Sequence, residues 1–390
     1  MSVIQPTYII PLLVEQPTWG GNYIATQKQL TNPLVVDKKI GQSFELFGGS
    51  WVTSASPITF AYATATEIQH PIFADETQPK ETLQSWIEQD SQAVLGSKAI
   101  QRGWQSMQVL IKFTQAQNNS YQVHVKPDKE FGKWLPKPES WYFVEKGKAT
   151  LGLADVTKSE EYKKRCLEID QHAHHLSELV QAGQLTVDAA RQQLNTFINQ
   201  DHPRRFVNTV SIEKGAIIDL SQGGTHHSWE MGDDIPEGNI VYEVQVDVQD
   251  EFCTLRSFDQ GNIKSDGSVR PLTIEDYFRA LDLTPDSNTP SQFLQKSEEK
   301  YDQTATVQTL FENQFYVTEL LTVKKSYTGK YTETQESFHH LYSLMDSFTV
   351  TVGEKSWFVP AGWSFFIPAN VGRYQVLADG EDCQVLITHL

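Results

Sequence analysis

Lys214-Gly215-Ala216-Ile217-Ile218-Asp219-Leu220 reads as a glycine turn entering a short buried strand, after which a loop leads to a return strand at His227. Ala361-Gly362-Trp363-Ser364-Phe365-Phe366-Ile367 repeats the pattern, and Tyr374 stands as far beyond Gly362 as His227 does beyond Gly215. A turn, buried strand, loop and return strand occurring twice fits two antiparallel barrels of the jelly-roll type. Only the first copy carries a histidine at the return position. Short alternating or β-branched segments surround both copies: Val109 to Phe113, Tyr121 to Val125, Trp141 to Glu145, Ala149 to Leu153, Phe206 to Ile212, Ile240 to Val248 and most of 315 to 390. The expected fold class is mainly β.

Helical patterns are the minority. Leu83, Trp86, Ile87 and Val94 form one before Gly96, and Ile274, Phe278 and Leu281 form another between a Thr273…Asp276 capping-box pattern and Pro285. From about 156 to 200 the composition shifts to Glu, Lys, Gln and Ala, and Ala190, Leu194, Phe197 and Ile198 share one face of a helix that Thr186 can cap. This reads as a helical hairpin turning near Gly183, inserted between two strands. The expected division is a catalytic barrel over 1–270 including the insert, a helical connection over 271–312, and a second barrel over 313–390 without a metal site.

A chain of 390 residues can hold two such units, each large enough to bury a core without staples. Its 32 Lys+Arg against 49 Asp+Glu give a net charge of -17, which argues against an electrostatic grip on nucleic acid or anionic membrane. Three cysteines, Cys166, Cys253 and Cys383, are widely spaced and form no CxxC, so a reducing, cytoplasmic setting fits best. The N-terminal apolar run Tyr8 to Val14 lacks a basic flank and is broken by Pro11, and no run approaches the roughly 18 apolar residues of a membrane span.

Four positions stand out in the first half: Gln122, His124, Glu139 and His227. Strand residues alternate sides, so Gln122 and His124 share a face while Tyr121, Val123 and Val125 take the other. Two imidazoles, a carboxylate and an amide oxygen suit a borderline divalent ion with positions left for water or substrate, and zinc leads. The ligands lie on separated strands with no compact motif such as HExxH, so spacing alone also admits ordinary polar barrel residues.

The run Ser120-Tyr-Gln122-Val-His124, then Pro127-Asp-Lys129, Lys137-Pro-Glu139-Ser-Trp141-Tyr and Gly224-Thr-His-His227, resembles the type I mannose-6-phosphate isomerases of the cupin superfamily. Trp19-Gly20-Gly21, Gly41-Gln-Ser-Phe-Glu45, Leu110-Ile-Lys112, Tyr242-Glu243 and Arg270-Pro-Leu-Thr-Ile274 extend the resemblance in order over most of the chain. It implies two cupin-type barrels and a zinc enzyme that interconverts mannose 6-phosphate and fructose 6-phosphate through an enediol. It places the zinc ligands on Gln122, His124, Glu139 and His227, the catalytic groups on Arg256 and Lys137, and substrate contacts on Ser120, Lys129 and Glu243. The sequence departs from the family where Val125-Lys126 separate His124 from the following proline, where Gln260-Gly261-Asn262 follow the Arg256 segment, and in Asp219-Leu-Ser-Gln before the last histidine.

For the base, Lys137 beside a zinc ligand is expected to have its pKa lowered by the metal and by burial; Glu243 and a zinc-bound water are the alternatives. His226 competes with His227, since only one of two strand neighbours faces inward, and the motif favours His227. His172, His174 and His175 read as exposed helical residues. Trp19, Trp134, Trp141 and Trp229 offer stacking surfaces for a sugar, or packing at core and rim. The competing functions are isomerisation of a related sugar phosphate, a noncatalytic sugar-phosphate-binding cupin, and an iron-dependent cupin oxygenase. The partner is a small-molecule sugar phosphate; oligomeric state is not legible.

Overall fold

The computed structural model describes residues 4–16, 19–30, 37–54, 81–116, 119–221, 223–228, 235–301, 305–324, 330–334 and 336–390. Trp229 lies outside them. Among the described residues the strands form four sheets, and these pair into two barrels.

The first barrel sets a seven-stranded sheet, running in order through Leu294–Gln295, Ile217–Asp219, Glu139–Phe143, Asn239–Val246, Val109–Ala116, Ile40–Leu46 and Leu12–Glu15, against a five-stranded one. The latter comprises Val207–Ile212, Gly147–Leu153, His226–His227, Tyr121–Val123 and Leu255–Phe258. Trp141, Phe143, Ile218 and Val241 of the larger sheet meet Ala149, Leu151 and Ile212 of the smaller in one apolar cluster. In the second barrel a nine-stranded sheet faces the four strands Lys330–Glu333, Arg373–Ala378, Phe348–Val352 and Lys355–Val359.

Both copies of the repeated pattern fold alike. Gly215 and Gly362 turn at φ of 82° and 80°, followed by the strands Ile217–Asp219 and Ser364–Ile367. At Gly362 a Cβ would stand 2.8 Å from the Gln27 carbonyl oxygen, so glycine is required there for space as well as for conformation. Tyr374 on the second return strand is buried, its hydroxyl 2.8 Å from His339 Nδ1.

The expected boundaries at 270 and 313 are crossed by backbone pairing. Thr7 and Tyr8 pair with Phe366 and Phe365 of the second barrel, and Trp51–Thr53 extends that sheet. Leu294–Gln295, within the expected connection, pairs with Ile217 and Ile218 of the first barrel, whereas Ala305–Glu312 is already a strand of the second. A buried ion pair reinforces the crossing: Lys28 Nζ lies 2.7 Å from Glu45 Oε1, and Ser364 of the second barrel donates to Glu45 Oε2 at 2.7 Å.

The helical insert matches its sequence reading. Helices Ser159–Gln181 and Val187–Gln200 turn at Gly183, Thr186 caps the second through the Ala189 N–H, and the hairpin joins the paired strands Gly147–Leu153 and Val207–Ile212. His174 and His175 are exposed, while the His172 ring packs on Phe197. The capping box at Thr273 does not form, because the Thr273 hydroxyl accepts instead from the Arg256 N–H at 2.8 Å. No helix among the described residues is long and apolar enough to cross a membrane.

Candidate active site

A cavity of about 1370 Å³ lies between the two sheets of the first barrel. Its walls follow from strand alternation: Glu139 and Trp141, Val241, Glu243 and Gln245, and Leu110, Lys112 and Thr114 line it from the larger sheet, every second residue of each strand. Gln122, His226, His227 and Arg256 line it from the smaller one, with Ser120 just before its strand, and there His226 and Arg256 flank Gln122 in register.

Two histidines enter the site already oriented. His124 Nδ1 lies 2.9 Å from the Cys253 carbonyl oxygen, and His226 Nδ1 lies 3.0 Å from that of Gly224. A carbonyl only accepts, so each ring carries its proton on Nδ1 and turns the Nε2 lone pair inward. Burial and the Lys137 charge lower the pKa of His124, and burial with the neighbouring His124 lowers that of His226 to about 3, so both rings are neutral. His124 Nε2 then faces Glu139 Oε2 at 3.1 Å, lone pair against carboxylate, and His226 Nε2 is buried with no protein partner among the described residues. The ligating atoms of His124, Glu139 and His226 all lie within 4.8 Å of one another. Such a set fits a divalent cation, which would turn that repulsion into coordination and satisfy the orphaned nitrogen.

Glu139 is held as a carboxylate. Burial pushes its pKa up, but Lys137 at 2.8 Å and His124 outweigh this and keep it well below the usual range. Its second oxygen accepts from Trp141 Nε1 at 2.5 Å. Gln122 donates through Nε2 to Ser120 Oγ at 3.1 Å, so its amide oxygen is the atom it can still offer as an acceptor. Arg256 donates through Nε to the same hydroxyl at 3.2 Å and bonds Asp250 through Nη2. Opposite, Glu243 pairs with Lys112 at 2.7 Å. Burial, and then Glu139, raise the Glu243 pKa to about 7 against the opposing pull of Lys112.

Several expectations change. The histidine whose ligating atom is grouped with those of His124 and Glu139 is His226; His227 also borders the cavity, but its ring lies 4.8 Å from that of Tyr121 and its Nε2 3.4 Å from Gln260 Nε2. The physical cause is register: facing residues in a ladder share a side, and Gln122 faces His226. Lys129 is exposed in the turn after the first histidine strand and does not line the cavity. For Lys137, burial lowers the pKa as expected, but among the protein's own charges Glu139 and Glu243 outweigh it and raise it. Trp134 donates to Asp276 of the helix Ile274–Ala280 at 2.7 Å, Trp19 lines the cavity, and Trp141 serves Glu139. Sequence reading gave no role to Lys112, Asp250 or Gln245; each is visible only through a partner or neighbour on another segment.

No family model matches the chain, and no curated protein matches it. Solved structures do. Mannose 6-phosphate isomerase from Bacillus subtilis aligns with 99% of this chain and 100% of its own at 17% identity and a TM-score of 0.65. A variant of phosphomannose isomerase from Salmonella typhimurium aligns with 99% of each chain at 13% identity and a TM-score of 0.65. A zinc-bound mannose 6-phosphate isomerase aligns with 99% of each chain at 14% identity and a TM-score of 0.64. The chain therefore has the fold of these mannose 6-phosphate isomerases, aligned over 99% of its length.

Proposed function

We propose that this chain is a zinc-dependent aldose–ketose isomerase that interconverts mannose 6-phosphate and fructose 6-phosphate. The observation that carries this reading is the convergence of His124, Glu139 and the orphaned His226 Nε2, the last two lining a cavity that also holds the buried Glu243 carboxylate. His124, Glu139 and His226, with the Gln122 oxygen, would hold the metal. Zinc, when bound, supplies a Lewis acid for the sugar oxygens on which negative charge develops.

Glu243 is the base in this reading. Its carboxylate takes the proton from C2 as the C–H electron pair forms the C1=C2 bond of the enediol and the C1=O1 π pair moves onto O1, and it returns that proton to C1 as C2=O2 forms. The hydroxyl proton of O2 passes to O1 in the same conversion, so nothing is gained or lost. A base with a pKa near 7 is poised for both halves of this transfer at neutral pH. Lys137, protonated beside Glu139, adds positive charge where the enediolate forms. Arg256, steadied by Asp250 and Ser120, holds the phosphate, whose charge would otherwise meet an acidic protein. We place the enzyme in the cytoplasm, in keeping with its three buried free cysteines.

A coupled assay for fructose 6-phosphate formed from mannose 6-phosphate tests the proposal. Turnover by the zinc-loaded protein is expected; its absence there contradicts the assignment.

A further inference from the structure

Gln245 sits two residues beyond Glu243 on the strand Asn239–Val246, directly opposite Glu139 in the ladder. It lines the cavity and its residue is only 2% exposed. Its Nε2 makes a long contact of 3.5 Å to the Val246 carbonyl, and its Oε1 has no protein partner among the described residues. A buried acceptor left unpaired is unfavourable, and an apolar side chain of equal size would avoid the cost.

The groups around it narrow what can fill that place. Glu139 already accepts from Trp141 and lies against Lys137, and Glu243 is paired with Lys112. An uncharged acceptor flanked by two carboxylates repels an anion and has no proton of its own to offer through oxygen. It can accept from the O–H of a neutral ligand, and a cation is the competing occupant that the test below separates.

We propose that Gln245 is a substrate-binding residue whose amide oxygen accepts a hydrogen bond from a sugar hydroxyl beyond the reacting C1–C2 pair. The inference rests on the isomerase reading. It makes the site selective for the hydroxylated carbon chain, because a ligand lacking that hydroxyl leaves the buried oxygen unpaired.

Gln245→Met and Gln245→Leu remove the acceptor with little change of volume. The readouts are zinc content, melting temperature, and KM and kcat for mannose 6-phosphate and its 3-deoxy and 4-deoxy analogues. The parent should lose about tenfold in kcat/KM on one of the two analogues. Both variants should keep zinc and melt no lower than the parent. They should lose about the same factor on mannose 6-phosphate and no longer discriminate against that analogue. Unchanged kcat/KM on mannose 6-phosphate, undiminished discrimination, or loss of zinc would each overturn the proposal, the last by making Gln245 a metal-holding residue. If the zinc-loaded parent fails to turn over mannose 6-phosphate, the isomerase reading has failed before any variant is compared, and the Gln245 proposal falls with it.

Discussion

His226 lies directly opposite Gln122 in the antiparallel pairing of His226–His227 with Tyr121–Val123. Facing residues project to the same side of a sheet, so this one pairing brings His226 to the face of Gln122 and, one step along, of His124. It also turns His227 toward Tyr121. A slip of one residue would exchange the two histidines, which makes the ladder the determinant of the candidate ligand set.

His226→Ala should therefore weaken zinc binding by at least about 100-fold, since losing even an outer partner of a ligand commonly costs 10–100-fold. His227→Ala should keep its zinc. Metal analysis of the two purified variants checks this, and zinc lost from the His227 variant alone would reverse the assignment.

Glu243→Gln should lower kcat by about 10²- to 10⁴-fold with zinc retained, the usual contribution of a positioned base. Because the raised pKa of about 7 must be exceeded for the carboxylate to accept a proton, parent activity should fall as pH drops through that value. A bound cation would draw the limb lower. A pH profile without an acid limb between about 4 and 7 speaks against Glu243 as base.

Arg256→Ala should hold zinc at the parent level while losing about 10²- to 10³-fold in rate, as expected when one preorganised charge donor is removed. Titration with inorganic phosphate should show weaker inhibition of the variant. Parent-like phosphate inhibition would move the anion site away from Arg256.

Lys28 and Glu45 are both fully buried where the first segment meets the second barrel. Removing either partner alone should destabilise the protein by about 3–5 kcal/mol, because a charge is then buried unpaired. The double variant Lys28→Met with Glu45→Leu should lose less than the sum of the single losses. Denaturant unfolding of the three variants measures the coupling, and strict additivity would show that the pair does not act as a unit.

Much of the architecture is legible in local pattern. Alternation marks Val109–Ala116 and Asn239–Val246, the two glycine turns mark the repeated motif, and Thr186 with Gly183 marks the insert. His124 and Glu139 also follow from local sequence, each on or beside a recognisable strand. The misses share one cause. Thr7–Ile10 completes a sheet more than 350 positions away in the chain, at Phe365 and Phe366, a pairing no window around it encodes. The strand His226–His227 is two residues long, too short for alternation to choose between them, so its neighbours Gln122 and Leu151 decide. Lys112 reads as an ordinary strand lysine until Glu243 is placed across from it. At Thr273 the capping pattern is real, yet a distant backbone N–H claims the hydroxyl.

The most direct test is the mannose 6-phosphate assay on protein stripped by a chelator and then restored with zinc. The account predicts that stripping abolishes turnover and that zinc returns it in proportion to the metal bound. Turnover that survives complete removal of the metal, or its absence in zinc-loaded protein, would contradict a zinc-dependent isomerase.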